Sequence, residues 1–225
     1  MLVLCAQLGY GQTYSTYKGN GTIGEVGKTY QVVKYSAGTG TWTAPYGVSS
    51  IKLVLVAGGG GGGGSAWAGG GGAGGVVYTN NYSVTLGTAY SLNVGTGGSG
   101  GSNIKCGDGS NGSDSWFGIE SFAAKGGGGG GGYGWPDTTG TCGQGVSGGS
   151  SGGAAETKMV VTSPSITQTT PSGATNSYGN IGGKLIDSGG SQAGTGGGGA
   201  GAPGEDVDEF QFPGDGGNGI QFDIT

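Results

Sequence analysis

Two runs of seven consecutive glycines constrain this chain more than any other feature of its sequence. They occupy Gly58–Gly64 and Gly126–Gly132, and a weaker third block, interrupted by threonine, alanine and proline, lies at Gly194–Gly204. Ordering a residue costs about 1–2 kcal/mol of conformational entropy, and glycine costs more while burying no side chain. The runs can therefore be ordered only if nearly all of their backbone groups are hydrogen-bonded.

One regular geometry meets this requirement. A polyproline II helix has three residues per turn, rises about 3.1 Å per residue and makes no internal hydrogen bonds, so its amides and carbonyls point outward. Because glycine has no Cβ atom, several such helices can lie side by side and bond to one another. The sequence thus predicts stacked polyglycine II-type segments, with flexible glycine loops between strands as the alternative.

The segments between the glycine blocks have the composition of β-strands. The nearly continuous apolar run Ser50–Ala57 predicts a strand buried on both faces. Gly87–Thr88 is typical of a hairpin turn between two such segments. No apolar pattern of period 3.6 occurs, so the fold class is predicted to be all-β. The predicted strands are Thr29–Tyr35, Thr41–Pro45, Ser50–Ala57, Val76–Leu86, Ala89–Val94, Ser115–Phe122 and a closing strand at Gly219–Thr225.

The chain divides at about residue 28. Residues 1–28 are predicted to form an N-terminal arm, and residues 29–225 a glycine-rich β domain. The first twelve residues, MLVLCAQLGYGQ, resemble the back half of a secretory signal peptide without its basic start. The arm is therefore either a signal remnant or an apolar segment that docks on a partner. No stretch is long enough to span a membrane.

Charge and composition exclude several classes of function. The net charge is −5 and histidine is absent. Without basic patches, neither nucleic acid nor an anionic membrane is an expected partner. Without histidine, the chain cannot build a Ser-His-Asp triad or a histidine-ligated metal site. We expect no cofactor and no metal.

Two of the three cysteines lie in glycine-rich loops. Cys106 and Cys142 can form a disulfide in an oxidising compartment, and two free thiols are the equal alternative. Cys5 is left over in either case. The spacing of the three cysteines fits no zinc motif.

Large aromatic residues interrupt the glycine runs. Trp67, Tyr133 and Trp135 lie on short islands, where rigidly displayed rings suit contact with a sugar or a protein surface. The alternative is that these rings cap the glycine segments and shield their hydrogen bonds.

Two carboxylate-rich stretches are candidate calcium or catalytic sites. Glu205–Asp215 and the GDGSNGSD segment at Gly107–Asp114 offer oxygen ligands, although neither has the spacing of a calcium loop. Paired carboxylates can also hydrolyse glycosides, which is the enzyme alternative. We expect both stretches to be solvated turns.

A series of strands and turns recurs here in a recognisable order and spacing. Over about Thr29–Thr225 the chain resembles the glycine-rich domain of bacteriophage tail fibres and related secreted bacterial surface proteins, departing from it at Gln221–Asp223, where a more apolar ending is expected. The segments that carry the resemblance are Thr41–Val48, Ile51–Leu55 before the first glycine run, Tyr82–Thr85, Leu92–Gly95, Asp114–Gly118, Ala124–Lys125 and Gly217–Ile220.

The resemblance implies a β-sandwich base, jelly-roll-like, that carries polyglycine II segments. It also implies a non-enzymatic subunit of a phage virion, either a tail fibre, a spike or an adhesin, located in the virion or outside the cell. Its partners would be copies of itself, other fibre or virion proteins, and a host surface glycan or outer-membrane protein. The alternatives are a secreted bacterial surface or matrix protein and, more weakly, an ice-binding protein, for which a regular Thr-X-Thr array is missing.

Overall fold

Within the part of the chain that the structure describes, nine β-strands form the base of the molecule. The computed structural model describes residues 1–8, 29–134, 142–157, 161–162, 164–186, 192–208 and 212–224. Across those ranges no helix has the length and apolar character that a bilayer span requires. The strands are β1 (Leu2–Leu8), β2 (Thr29–Tyr35), β3 (Gly38–Thr43), β4 (Ser50–Val56), β5 (Val76–Ser83), β6 (Ala89–Val94), β7 (Ser115–Phe117), β8 (Ile119–Ala124) and β9 (Asn176–Tyr178).

The strands form two antiparallel sheets that share one core. The first sheet has the order β2-β1-β4-β5-β9 and the second the order β3-β6-β7-β8. Leu53 and Leu55 of the first sheet and Leu92 and Phe117 of the second belong to the same buried cluster. The prediction of an all-β, sandwich-like fold is therefore confirmed.

Strand β4 is buried on both faces, as its apolar sequence predicts. Ile51, Leu53 and Leu55 face the core between the sheets. Val54 faces the other way, into a second cluster on the outer face of the five-stranded sheet. Since side chains alternate along a strand, an unbroken apolar run is what such a position requires.

The predicted hairpin at Gly87 is wrong, although the turn is present. Gly87 has φ 70°, but β5 pairs in the first sheet and β6 in the second. The turn instead crosses the sandwich, so that Tyr82 and Tyr90 meet in the interior with ring centroids 6.4 Å apart. Turn residues in the sequence mark a chain reversal but not the sheet that the next strand joins.

The predicted closing strand at Gly219–Thr225 is also wrong over its described part, 219–224, which pairs with no strand. Phe222 and Ile224 are half-buried there against the outer face of the five-stranded sheet. The position beside β5 is taken by Asn176–Tyr178, within the stretch 164–180 that is rich in serine, threonine and proline. The alternation of apolar residues in 219–224 therefore indicates a segment with one buried face, but not one that pairs in a sheet.

The start of the predicted N-terminal arm lies inside the sheet. Strand β1, Leu2–Leu8, pairs antiparallel with β2 on one side and with β4 on the other. Residues 9–28 lie outside the described residues. The boundary at residue 28 therefore does not separate the first eight residues from the domain.

The glycine blocks form a hydrogen-bonded lattice that projects from the sandwich. In the first run, every third amide donates to the same neighbouring segment. The pairs are Gly58 with Ser113, Gly61 with Ser110, and Gly64 with Gly107, at 2.7–3.0 Å. A second set at the same period joins Gly60 to Gly72 and Gly63 to Gly69. This is the three-residue period of the predicted polyglycine II-type helix.

The second run, Gly126–Gly132, lies at the centre of the lattice and is fully buried. Its amides donate in three directions, again with period three. Gly127 and Gly130 donate to carbonyls of the first run, and Gly128 and Gly131 donate to Ser150 and Gly153. A Cβ atom added at any position of this run would overlap a neighbouring segment. Seven glycines in succession are therefore a steric requirement here.

In the third direction, the amides of the central run donate to side chains rather than to backbone carbonyls. Its remaining amides, at Gly126, Gly129 and Gly132, donate to the side-chain oxygens of Asp114, Asn111 and Asp108 at 2.7–2.9 Å. We call Asp108, Asn111 and Asp114 the acceptor ladder. Their spacing of three residues matches that of the amides. The side chains along one face of residues 108–114 therefore accept hydrogen bonds from the amides along one face of the central run.

Candidate functional site

The loops that join the glycine segments lie at one end of the lattice. One segment leaves β4 and returns to β5, and another leaves β6 and returns to β7. Because each excursion begins and ends at the sandwich, its connecting loop lies at the far end, about 22 Å away for seven residues at about 3.1 Å each. We call residues 65–68, 103–106 and 133–134 the lattice tip.

Two of the three predicted aromatic residues meet at the lattice tip. The rings of Trp67 and Tyr133 pack edge to face with centroids 5.4 Å apart. Trp67 is 39% exposed and has φ 53°, in the left-handed region that residues with a Cβ seldom adopt. Trp135 lies outside the described residues. The tip thus displays one half-exposed indole, braced by a neighbouring ring.

A disulfide joins Cys106 to Cys142, with Cα atoms 4.9 Å apart. Cys106 lies on the lattice tip, and its amide donates to the carbonyl of Tyr133 at 2.9 Å. The disulfide therefore ties the loop 103–106 to the chain beyond residue 141. Of the two alternatives that the sequence left open, the structure has the paired form.

A buried carboxyl group, which the sequence did not single out, supports the tip from below. The amide of Glu156 donates to the carbonyl of Trp67, and its carbonyl accepts from Gly134. The residue is 3% exposed, and Oε2 has no hydrogen-bond partner among the described residues. The one sequence signal is an isolated acid in Ala-Ala-Glu-Thr, between glycine segments.

Burial sets the ionisation of this group. Desolvation raises the pKa of Glu156, against a smaller opposing effect of the hydrogen bond from the Gln192 backbone. The pKa of Tyr133 is raised as well, first by desolvation and then by the negative charge of Glu156. The carboxyl group of Glu156 and the phenol of Tyr133 are therefore electrostatically coupled.

We expect Glu156→Gln to change how stability depends on pH. A carboxyl whose pKa is raised by folding stabilises the folded state fully below its unfolded pKa, about 4.3, and that contribution is lost as pH rises through the folded pKa. The wild type should therefore lose stability relative to Glu156→Gln as pH rises from about 4. Urea denaturation at stepped pH measures this, with the exposed Glu120→Gln as control; parallel wild-type and Glu156→Gln curves would contradict it.

The two carboxylate-rich stretches are bonded within the protein. Gly107–Asp114 contains the acceptor ladder, so two of its carboxylates bind backbone amides rather than forming a solvated turn. In the second stretch, Glu205 accepts from the amide of Asp215 at 2.9 Å, and Glu209 lies outside the described residues. Among the described residues no group of three or more candidate ligands is placed to hold a metal ion.

Comparison with known proteins identifies one similarity. The model of a family described as a glycine-rich domain matches residues 34–224. No curated protein and no solved structure matches the chain. The matched range takes in strands β3–β9, all three glycine blocks and the lattice tip.

Proposed function

This chain belongs to the glycine-rich domain family, and from that premise we propose that it is a non-enzymatic structural and receptor-recognition subunit of a phage virion, a tail fibre, spike or adhesin. The observation that carries the proposal is the gathering of the connecting loops at one end of a densely hydrogen-bonded lattice. Such a lattice holds its loops rigidly, and a rigid display lowers the entropy cost of binding. The resemblance to phage tail-fibre domains supports the same assignment.

The recognition surface in this proposal is the lattice tip. The half-exposed indole of Trp67 provides contact area at a low entropy cost, as aromatic anchors do in binding loops. Ile104, which is also exposed and lies on another loop of the lattice tip, adds apolar surface. The target is a host surface glycan or outer-membrane protein.

We expect Trp67→Ala to weaken binding to host cells by about tenfold or more, because the loss of an aromatic anchor commonly costs that much. Fluorescently labelled protein, titrated onto a panel of bacterial strains and read by flow cytometry, measures the affinity. Tyr46→Ala is the matched control, since Tyr46 is an aromatic residue 69% exposed in a turn of the sandwich. Equal binding by wild type and Trp67→Ala, or binding to no strain, would count against the proposal.

The disulfide favours a second candidate, a secreted bacterial surface or matrix protein. Disulfides persist in oxidising compartments and are rare in the cytoplasm, where virions assemble. Strand β1 favours the first candidate, because cleavage near Gln12 would remove the strand that β2 and β4 both pair with. The intact mass of the protein from its native source, with and without reduction, separates them: a mass beginning at Met1 or Leu2 with free thiols supports the virion protein, and one beginning near Gln12 supports the secreted protein.

A further inference from the structure

Two residues of the lattice tip, Tyr133 and Gly134, lie between the disulfide and the exposed indole. On one side, the carbonyl of Tyr133 accepts the Cys106 amide at 2.9 Å. A Cβ atom added at Gly134 would lie 2.7 Å from the Cβ atom of Cys142, so the backbone packs directly on the disulfide. On the other side, the Tyr133 ring packs against Trp67 with centroids 5.4 Å apart. The disulfide therefore supports Trp67 through Tyr133.

Backbone hydrogen bonds complete a ring of contacts around the tip. The Gly134 amide donates to the carbonyl of Glu156, and the Glu156 amide donates to the carbonyl of Trp67, both at 3.1 Å. The amide of Ala155 donates at 2.7 Å to the carbonyl of Gly143, which adjoins the disulfide in sequence. Each loop of the tip is therefore held by its neighbours, and the disulfide closes the ring covalently.

The backbone of the tip adopts conformations that need such support. Ser65, Trp67 and Cys106 have φ 74°, 53° and 61°, in the left-handed region that residues with a Cβ atom seldom adopt. In the described part of the chain, the only other such residue besides glycines is Gln192, whose backbone bonds to Glu156. Because unfavourable backbone angles persist only where the surrounding structure fixes them, loosening the ring should release the loops.

Without the disulfide, one hydrogen bond joins loop 103–106 to the other loops of the tip. Among the described residues, the remaining backbone bonds of this loop are local, such as those from Ile104 to Ser102 and from Gly107 to Ile104. The bond from the Cys106 amide to Tyr133 is the exception. Since a single hydrogen bond contributes little net stability, the position of the loop depends on the disulfide.

A small thiol in solution can reach this disulfide. Cys106 lies on an exposed loop, whereas Cys142 is 3% exposed, so the bond is open to attack from the Cys106 side. On reduction the S–S bond breaks and each sulfur gains one proton and one electron, while two molecules of a glutathione-class thiol are oxidised to their own disulfide. Oxidation by a disulfide of that class is the reverse reaction.

We propose that the Cys106–Cys142 disulfide is a redox switch for recognition, which fixes the lattice tip in its binding form only in an oxidising environment. The inference rests on the proposed function, because it specifies how the same tip is regulated. In the reducing cytoplasm, where virions assemble, the pair is reduced and the tip is loose. The free thiols expected of a virion protein belong to this state. After release the disulfide forms, and the rigid tip binds at a lower entropy cost.

Hydrogen exchange of the full chain, with and without dithiothreitol, tests the switch itself. The amides of Cys106, Gly134 and Glu156, whose bonds form the ring, should exchange at least about tenfold faster after reduction. The amides of Gly127 and Gly130, in the buried central run, should keep their protection. Unchanged exchange at the tip would overturn the proposal. An equal loss of protection in the central run would also overturn it, because the disulfide would then stabilise the whole fold rather than the tip.

Binding to host cells, read by flow cytometry, tests the effect on recognition. The oxidised wild type should bind at least about tenfold more tightly than the reduced protein, because reduction removes the rigid display. The double variant Cys106→Ser, Cys142→Ser should bind weakly under both conditions, and Cys5→Ala, which keeps the pair, should respond to reduction like the wild type. Equal affinity of the oxidised and reduced wild type would refute the switch.

Failure of the switch and failure of the proposed function give different results. If exchange at the tip responds to reduction but the oxidised protein binds no strain, host recognition is contradicted, and with it the role of the switch. If the oxidised protein binds through Trp67 and keeps the same affinity after reduction, the switch alone is contradicted.

Discussion

Gly61→Ala is expected to lower the free energy of unfolding by more than about 3 kcal/mol, enough to leave much of the protein unfolded if the wild type is only moderately stable. A Cβ atom at residue 61 would overlap the backbone carbonyl of Ser99. That carbonyl cannot move away freely, since it accepts the amide of Ser110 at 2.9 Å, and Gly61 itself bonds to Ser110 and Gly130. Relieving the overlap therefore breaks lattice hydrogen bonds.

The neighbouring Gly62→Ala is the matched control. A Cβ atom there comes no closer than 3.9 Å, to the carbonyl oxygen of Gly69, and the residue is exposed. Because alanine also reduces the entropy of the unfolded chain, we expect stability within about 1 kcal/mol of the wild type. Urea denaturation of the pair measures the difference. Equal stabilities would show that the lattice is loosely packed and would refute the steric account.

Removing the acceptor ladder is expected to cost about 3–9 kcal/mol in free energy of unfolding, about 1–3 kcal/mol for each of its three hydrogen bonds. In the variant Asp108→Ala, Asn111→Ala, Asp114→Ala, the buried amides of Gly126, Gly129 and Gly132 lose their acceptors, and an unsatisfied buried donor costs about 1–3 kcal/mol. Little of the loss comes from the ion pair of Asp114 with Lys125, since both side chains are more than 40% exposed. Chemical denaturation gives the total.

Hydrogen exchange locates the effect. We expect the amides of Gly126, Gly129 and Gly132 to exchange faster in this variant, while the intervening amides, which donate to backbone carbonyls, change less. Ser110→Ala with Ser113→Ala is the control, because both hydroxyls lie on the exposed stripe of the same segment and should matter by less than about 0.5 kcal/mol. A similar loss of stability in both variants would mean that stability depends on the segment as a whole and not on the three acceptor side chains.

The sequence predicts the local character of this fold better than its connections. Strands β2 and β6 have the predicted bounds, because their β-branched and aromatic residues are followed and preceded by glycine within three residues of each end. The partner strands could not be deduced in the same way. The pairing of β1 between β2 and β4 depends on long-range register, and no local pattern in Leu2–Leu8 distinguishes a strand from an apolar signal segment.

Only part of the candidate site could be predicted from the sequence, because contacts between distant parts of the chain leave no local pattern. Trp67 and Tyr133 were identified because large rings are conspicuous between glycines, and the lattice places them 5.4 Å apart. Glu156 was not, since nothing in the sequence reports that its side chain is buried. The roles of Asp108, Asn111 and Asp114 become visible only once the period of three is applied to GDGSNGSD, which separates acceptors, interior glycines and surface serines.

The period of three also fixes how a glycine run can change in length. Each residue added to a run turns all later residues by about 120° about the segment axis. One residue inserted before Gly61 would turn each later crowded position, which tolerates only glycine, onto a different face. It would also separate each later amide of the run from its acceptor. Three inserted residues restore the orientation and lengthen the arm by about 9 Å. Runs in related chains should therefore differ in length by multiples of three residues, so that the reach of an arm is altered in whole turns.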